Sequence, residues 1–160
     1  MIIKVKEIIE EDFINYKKPS MFIAFPTCTF KCEKECGVRC CQNSALATQE
    51  SVEIDTDLWA RRYVANDITS AVVIAGLEPF DSLIELQAMI TSLRKYTDDD
   101  IVIYTGYNKD EIPMYVHAVT NGYKNIIIKY GRFVPNKEPV LDDVLGVRLV
   151  SNNQYAEVVC

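Results

Sequence analysis

Five cysteines, Cys28, Cys32, Cys36, Cys40 and Cys41, fall within fourteen residues, and only Cys160 stands apart. Thiolates so dense on one segment can wrap a metal or a sulfide cluster that needs several soft ligands from nearly one direction. The three-residue gap between Cys28 and Cys32 lets both turn back toward a single iron–sulfur cube. Binding by three thiolates would leave a fourth iron open to a small ligand, as a catalytic site requires. Zinc is the competing reading. It takes four ligands, usually as two separated pairs. The sole histidine, His117, is far away and no second cysteine pair exists, although five local cysteines could still close a knuckle. Disulfides suit a short exported chain, whereas this one begins Met1-Ile2-Ile3-Lys4-Val5-Lys6-Glu7, interrupted by charge too early for a signal peptide. Cys160 reads as a spare thiol.

Four short runs rich in β-branched and aromatic residues have the pattern of buried parallel strands: Met21 to Phe25, Ala71 to Ala75, Ile101 to Tyr104 and Asn125 to Lys129. Helical spacing fills the gaps. Ser82-Leu83-Ile84-Glu85 forms a capping box, followed by Leu83, Leu86, Ile90 and Leu93 on one face. A second helix is expected from Asn108, with Asp110 and Glu111 in its first turn, to Gly122; Pro113 falls inside it. A third spans Asp57 to Ala65, after the alternating Val52-Glu53-Ile54. Strand–helix alternation implies right-handed βαβ units and a parallel sheet, whose ligands gather at the carboxyl ends of the strands. Every unusual motif follows a strand: the cysteines, then Gly76-Leu77-Glu78-Pro79, Thr105-Gly106-Tyr107 and Gly131-Arg132-Phe133. Singly these have ordinary explanations. The glycines would be turn residues, Glu78 a solvated acid, Tyr104 and Tyr107 core and surface aromatics, Arg132 a surface ion-pair member and His117 an unremarked helix side chain.

The 160 residues suit one domain, residues 1–160, without repeat or linker. The formal net charge of −6 gives no electrostatic footprint for nucleic acid. No apolar run approaches the roughly 20 residues that cross a bilayer. A cytoplasmic protein, with no nucleic-acid or membrane partner, is expected.

Cys28-Thr29-Phe30-Lys31-Cys32, with the later Cys41-Gln42-Asn43-Ser44, resembles the three-cysteine signature of the radical S-adenosylmethionine family. The branch it is most similar to is the activating protein of anaerobic, class III ribonucleotide reductase. Ala75-Gly76-Leu77-Glu78-Pro79 resembles that branch's Gly-Gly-Glu-Pro loop, and Ile103-Tyr104-Thr105-Gly106-Tyr107 its strand-end Tyr-Thr-Gly-Tyr. Gly131-Arg132-Phe133 and Leu149-Val150-Ser151-Asn152-Asn153-Gln154 resemble its closing motifs, so the resemblance runs from about residue 21 to 158. Two positions depart. Glu35 stands where the usual third cysteine falls, and Leu77 replaces a glycine.

The resemblance implies an α/β fold, an incomplete parallel (βα) barrel of the radical S-adenosylmethionine type. It implies a [4Fe-4S] cluster on Cys28, Cys32 and Cys41, chosen for the Gln42-Asn43-Ser44 that follows, with Cys36 and Cys40 as alternates. S-adenosyl-L-methionine would be seated by Gly76, Leu77 and Glu78 at its amino-acid end, with Cys40 and Gln42 near the adenine and Thr105 and Ser151 near the ribose or carboxylate. No catalytic side chain beyond the ligands is implied. The expected reaction is reductive cleavage of S-adenosylmethionine, leaving a glycyl radical on the large reductase. A low-potential donor such as flavodoxin or ferredoxin would supply electrons. Activation of another glycyl radical enzyme or modification of a peptide is the alternative enzyme reading; a non-catalytic zinc or iron–sulfur module is the alternative of another class.

Overall fold

The β-branched runs become strands where alternate side chains find apolar cover on both sides. The computed structural model describes residues 1–160. In chain order the elements are β1 (Ile2–Val5), β2 (Glu7–Asp12), β3 (Ser20–Phe25), α1 (Lys31–Cys36), α2 (Ser44–Thr48), β4 (Val52–Asp55) and α3 (Thr56–Val64). They continue with β5 (Ala71–Gly76), α4 (Leu83–Leu93), β6 (Asp100–Tyr104), α5 (Pro113–Thr120), β7 (Ile126–Tyr130), β8 (Val140–Asp142), β9 (Val147–Leu149) and β10 (Tyr155–Val158).

Six strands form one sheet in the order β10-β7-β6-β5-β3-β2. The inner four, β3, β5, β6 and β7, are the four runs expected from sequence, and they pair in parallel. The edge strands β2 and β10 are antiparallel to their neighbours. Parallel pairing sends the chain back through a crossover each time, so the loops after these four strands leave from the same end.

Side-chain alternation divides the core in two. Met21, Ile23, Phe25, Val72, Ile74, Ile101, Ile103, Ile126 and Ile128 face Trp59, Tyr63, Leu86, Met89, Ile90 and Leu93 of α3 and α4. The opposite side chains, Ala71, Val73, Ala75, Val102 and Ile127, pack under Tyr16, Leu145 and Leu149 from the β2–β3 loop and the β8–β9 hairpin. Each fully buried Val, Ile or Leu contributes about 1.5–3 kcal/mol relative to exposure.

Helix starts depart from the sequence expectations for local reasons. Ser82 precedes α4, but its side chain accepts no helix N–H. Its hydroxyl pairs with Thr27 Oγ1 instead, drawing the β5 loop toward the β3 loop. The helix expected from Asn108 is broken by Pro113. Residues Lys109–Glu111 form a 3-10 turn, and α5 starts with Pro113 in its first turn and stops at Thr120. Asp55 caps α3, accepting the N–H groups of Asp57 at 2.9 Å and Leu58 at 3.0 Å. No helix is long and apolar enough to cross a membrane.

Candidate metal centre

The loops after β3 and β5 are stitched together first. Leu77 N–H donates to Phe25 O at 3.2 Å and Glu78 N–H to Thr27 O at 2.8 Å. Gly76 sits at φ 95°, and a Cβ there would stand 2.6 Å from Phe25 N. This glycine is therefore required by the approach of the β3 backbone, whatever binds above it, and its carbonyl accepts from Asn43 Nδ2 at 2.8 Å. Asn43, in the motif after Cys41, thus ties the cysteine segment to the end of β5.

Glu78 is buried, not a solvated loop acid, at 5% exposure. Its Oε1 accepts from Thr105 Oγ1 at 2.8 Å and Phe80 N–H at 3.2 Å, while Oε2 accepts from Gly106 N–H at 2.8 Å. Burial pushes its pKa up to about 7 against these three bonds, which favour the ionised form. The carboxyl lies beside the thiols: Cys28, Cys32, Glu78, Gly106, Tyr107 and Arg132 line one pocket, rimmed by Thr29 and Lys31.

Between the two pocket cysteines, Phe30 adopts a left-handed conformation (φ 53°), uncommon for a bulky residue. The turn brings both sulfurs to one pocket and lets Phe30 N–H donate to Cys28 Sγ at 3.2 Å. Burial raises the Cys28 thiol to about 12 and raises that of Cys32, with Arg132 opposing the rise at Cys32. Cys41 acts on Cys32 electrostatically, also upward, and its N–H donates to Glu33 Oε1 at 3.3 Å. Cys36 and Cys40 keep to each other, with sulfurs 2.7 Å apart. No three Cys, His, Asp or Glu side chains stand at metal-ligand spacing, so the thiols are gathered without being closed on a point.

Arg132 lies over the pocket wall at 6% exposure, which the surface ion-pair reading did not foresee. Its guanidinium pairs with Glu111 at 2.7 Å and Glu35 at 3.0 Å and lies 6.0 Å from the Tyr107 ring centroid. Lys31 also pairs with Glu111. Glu35, the residue at the usual third-cysteine position, thus anchors α1 to the β7 loop. The Gly131 and Ser151 motifs form one unit: Asn153 Nδ2 donates to Arg132 O at 2.8 Å and Gln154 Nε2 to Gly131 O at 3.2 Å.

The chain matches the family described as 4Fe-4S single cluster domain over residues 20–154. It belongs to that family. No curated protein and no solved structure matches the chain. The donor set of this single-cluster domain suits its cofactor. Soft thiols, an N–H···S bond and one nearby guanidinium surround the site, and burial holds the Cys28 and Cys32 thiols protonated until a cationic metal replaces the protons.

Of the residues expected at the site, Cys28, Cys32 and Glu78 share the pocket, and Thr105 lies directly behind Glu78. Leu77 is half-buried beside them, and Gln42 is exposed. Ser151 is wholly buried, in a turn where its carbonyl accepts from Gln154 N–H at 3.0 Å. Lys129 was missed. It is 7% exposed on the β8–β9 side of the sheet and donates to Gly131 O at 2.9 Å. Burial lowers its pKa to about 8, with Glu78 and Cys32 acting in the opposite sense. Its signal was a lysine inside an apolar strand run, two residues before the Gly131 motif.

Proposed function

We propose that this single-cluster domain is a radical S-adenosylmethionine activase that generates a glycyl radical on the anaerobic ribonucleotide reductase. The observation that carries the reading is the convergence of the cysteine, Glu78, Gly106–Tyr107 and Arg132 loops on one pocket at the carboxyl ends of four parallel strands. Those strands would form the wall of an incomplete barrel. Cys28, Cys32 and Cys41 would hold the [4Fe-4S] cluster, because Cys36 and Cys40 are engaged with each other. When bound, the cluster supplies the electron that reduces the sulfonium of S-adenosylmethionine and frees a 5′-deoxyadenosyl radical. Glu78, fixed by three donors, would receive the ammonium group of the substrate. Gly106, whose Cβ position lies 3.3 Å from Cys32 Sγ, leaves room that a side chain would take.

The test is electron paramagnetic resonance on reduced, cluster-loaded chain mixed anaerobically with the reductase. A glycyl doublet that needs both proteins and S-adenosylmethionine is expected. No doublet on a competent reductase, with one on a different glycyl radical enzyme, would reassign the partner. Absence from both would end the activase reading.

A further inference from the structure

Two of the five clustered thiols are left over once Cys28, Cys32 and Cys41 are given to the cluster, and the fold brings those two together. Cys36 ends α1, and Gly37 follows in the left-handed conformation (φ 70°), its N–H returning to Glu33 O at 2.9 Å. The chain doubles back through Val38 and Arg39, both exposed, so that Cys40 Sγ reaches 2.7 Å from Cys36 Sγ. Two unbonded sulfurs do not ordinarily rest this close. Glu33 pins the return by accepting Cys41 N–H at 3.3 Å. Both thiols are half-buried, hence reachable by a small reagent. A disulfide demands that its cysteines already face each other, since misdirected pairs bridge only with backbone movement. Here the facing is done, and the loop to be closed is short, so its closure entropy is small.

We propose that Cys36 and Cys40 are a reversible dithiol–disulfide site beside the cluster loop, with a low-molecular-weight disulfide as its oxidant. This rests on the cluster assignment above. One thiolate of the pair attacks a sulfur of the oxidant, breaking its S–S bond and expelling a first thiolate. The second cysteine thiolate then attacks the mixed disulfide, forms the Cys36–Cys40 bond and expels the second. The two cysteine protons end on the two released thiols. The protein pair is oxidised by two electrons and the oxidant is reduced by two. The bond removes both spare thiols from competition for iron and fixes the turn ahead of Cys41.

The test treats cluster-loaded chain with oxidised glutathione under anaerobiosis, then quenches in acid, alkylates and digests with trypsin. Cleavage after Lys34 and Arg39 separates Cys36 from the peptide that carries both Cys40 and Cys41, and fragment-ion sequencing of the linked pair then places the bond at Cys40 with Cys41 alkylated. The expected result is a linked Cys36–Cys40 peptide, reversed by dithiothreitol, with the cluster absorbance retained. Cys36→Ser and Cys40→Ser should each trap glutathione on the remaining thiol. Stable glutathione adducts on the unsubstituted pair, or no oxidation of it, would overturn the proposal while leaving the cluster assignment intact. Failure of the Cys36→Ser/Cys40→Ser chain to take up iron would instead overturn the cluster assignment.

Discussion

Residues 71–76 are buried without exception, whereas no residue between 28 and 48 is fully buried. The two regions touch through Asn43 Nδ2, which donates to Gly76 O, and the cysteine segment is tied separately to the β7 loop by the Glu35–Arg132 pair. β5 draws its order from parallel neighbours on both sides and from two apolar layers. The cysteine segment has helices of six and five residues, too short to persist on local hydrogen bonds. One half of the site is therefore built by folding alone. The other half is arranged loosely and is completed by what its thiols bind.

The largest effect should come from removing the ligands of the looser half. Cys28→Ala, Cys32→Ala or Cys41→Ala should each abolish the visible absorbance of reconstituted chain, while Cys36→Ala and Cys40→Ala keep most of it. Retention in Cys41→Ala with loss in Cys36→Ala would reverse the assignment. Chelating the metal should raise amide exchange across residues 28–48 and leave β5, β6 and β7 protected. Equal loss of protection in the sheet would erase the contrast between the two regions.

Next come the two strand-end glycines. Gly76→Ala drives a Cβ to 2.6 Å from the β3 backbone at φ 95°, so urea unfolding should show a loss of about 3 kcal/mol or more. Gly106→Ala meets side-chain atoms rather than backbone, the nearest being the Cys32 sulfur at 3.3 Å and Glu78 Oε2 at 3.6 Å, and should cost the apo chain less than half as much. Similar losses in the two variants would mean the sheet is not the rigid partner.

A smaller effect is expected from Glu78. Burial holds its pKa near 7, above its ordinary 4.5, so the unfolded chain releases this proton first as pH rises. Its contribution to apo-chain stability is thus fullest below pH 4.5 and declines as pH rises to about 7, by on the order of 2–3 kcal/mol. Glu78→Gln, which cannot ionise, should flatten that slope in unfolding curves between pH 4.5 and 7. An unchanged slope would place the titration elsewhere. The smallest effect belongs to Glu35→Ala, whose side chain is 52% exposed; stability should fall by about 1 kcal/mol or less.

The same contrast separates what was legible in the sequence from what was not. The four inner strands declared themselves as β-branched runs, and the motifs that follow them lie at one end of the sheet, where Cys28, Cys32 and Glu78 line a pocket. Local pattern could not show that Ser82 would leave its helix for Thr27, because the competing partner lies 55 positions away. Nor could it show that Gly76 answers to the β3 backbone, or that Arg132 is buried between Glu35 and Glu111. The edge strand β10 and the β8–β9 hairpin carry little periodicity of their own and take their form from the sheet, which β10 extends beside β7 and the hairpin packs against. Which thiols come to lie side by side was likewise a matter of three-dimensional return, set by the turn at Gly37.

The most direct test of the activase reading is product analysis of the chain alone. Reduced anaerobically, loaded with about four irons and given S-adenosylmethionine, it should release 5′-deoxyadenosine and methionine in equal amounts, slowly, and not after Cys32→Ala. A chain that carries its full iron and sulfide, accepts the electron and still returns S-adenosylmethionine intact, with or without the reductase, would contradict the account.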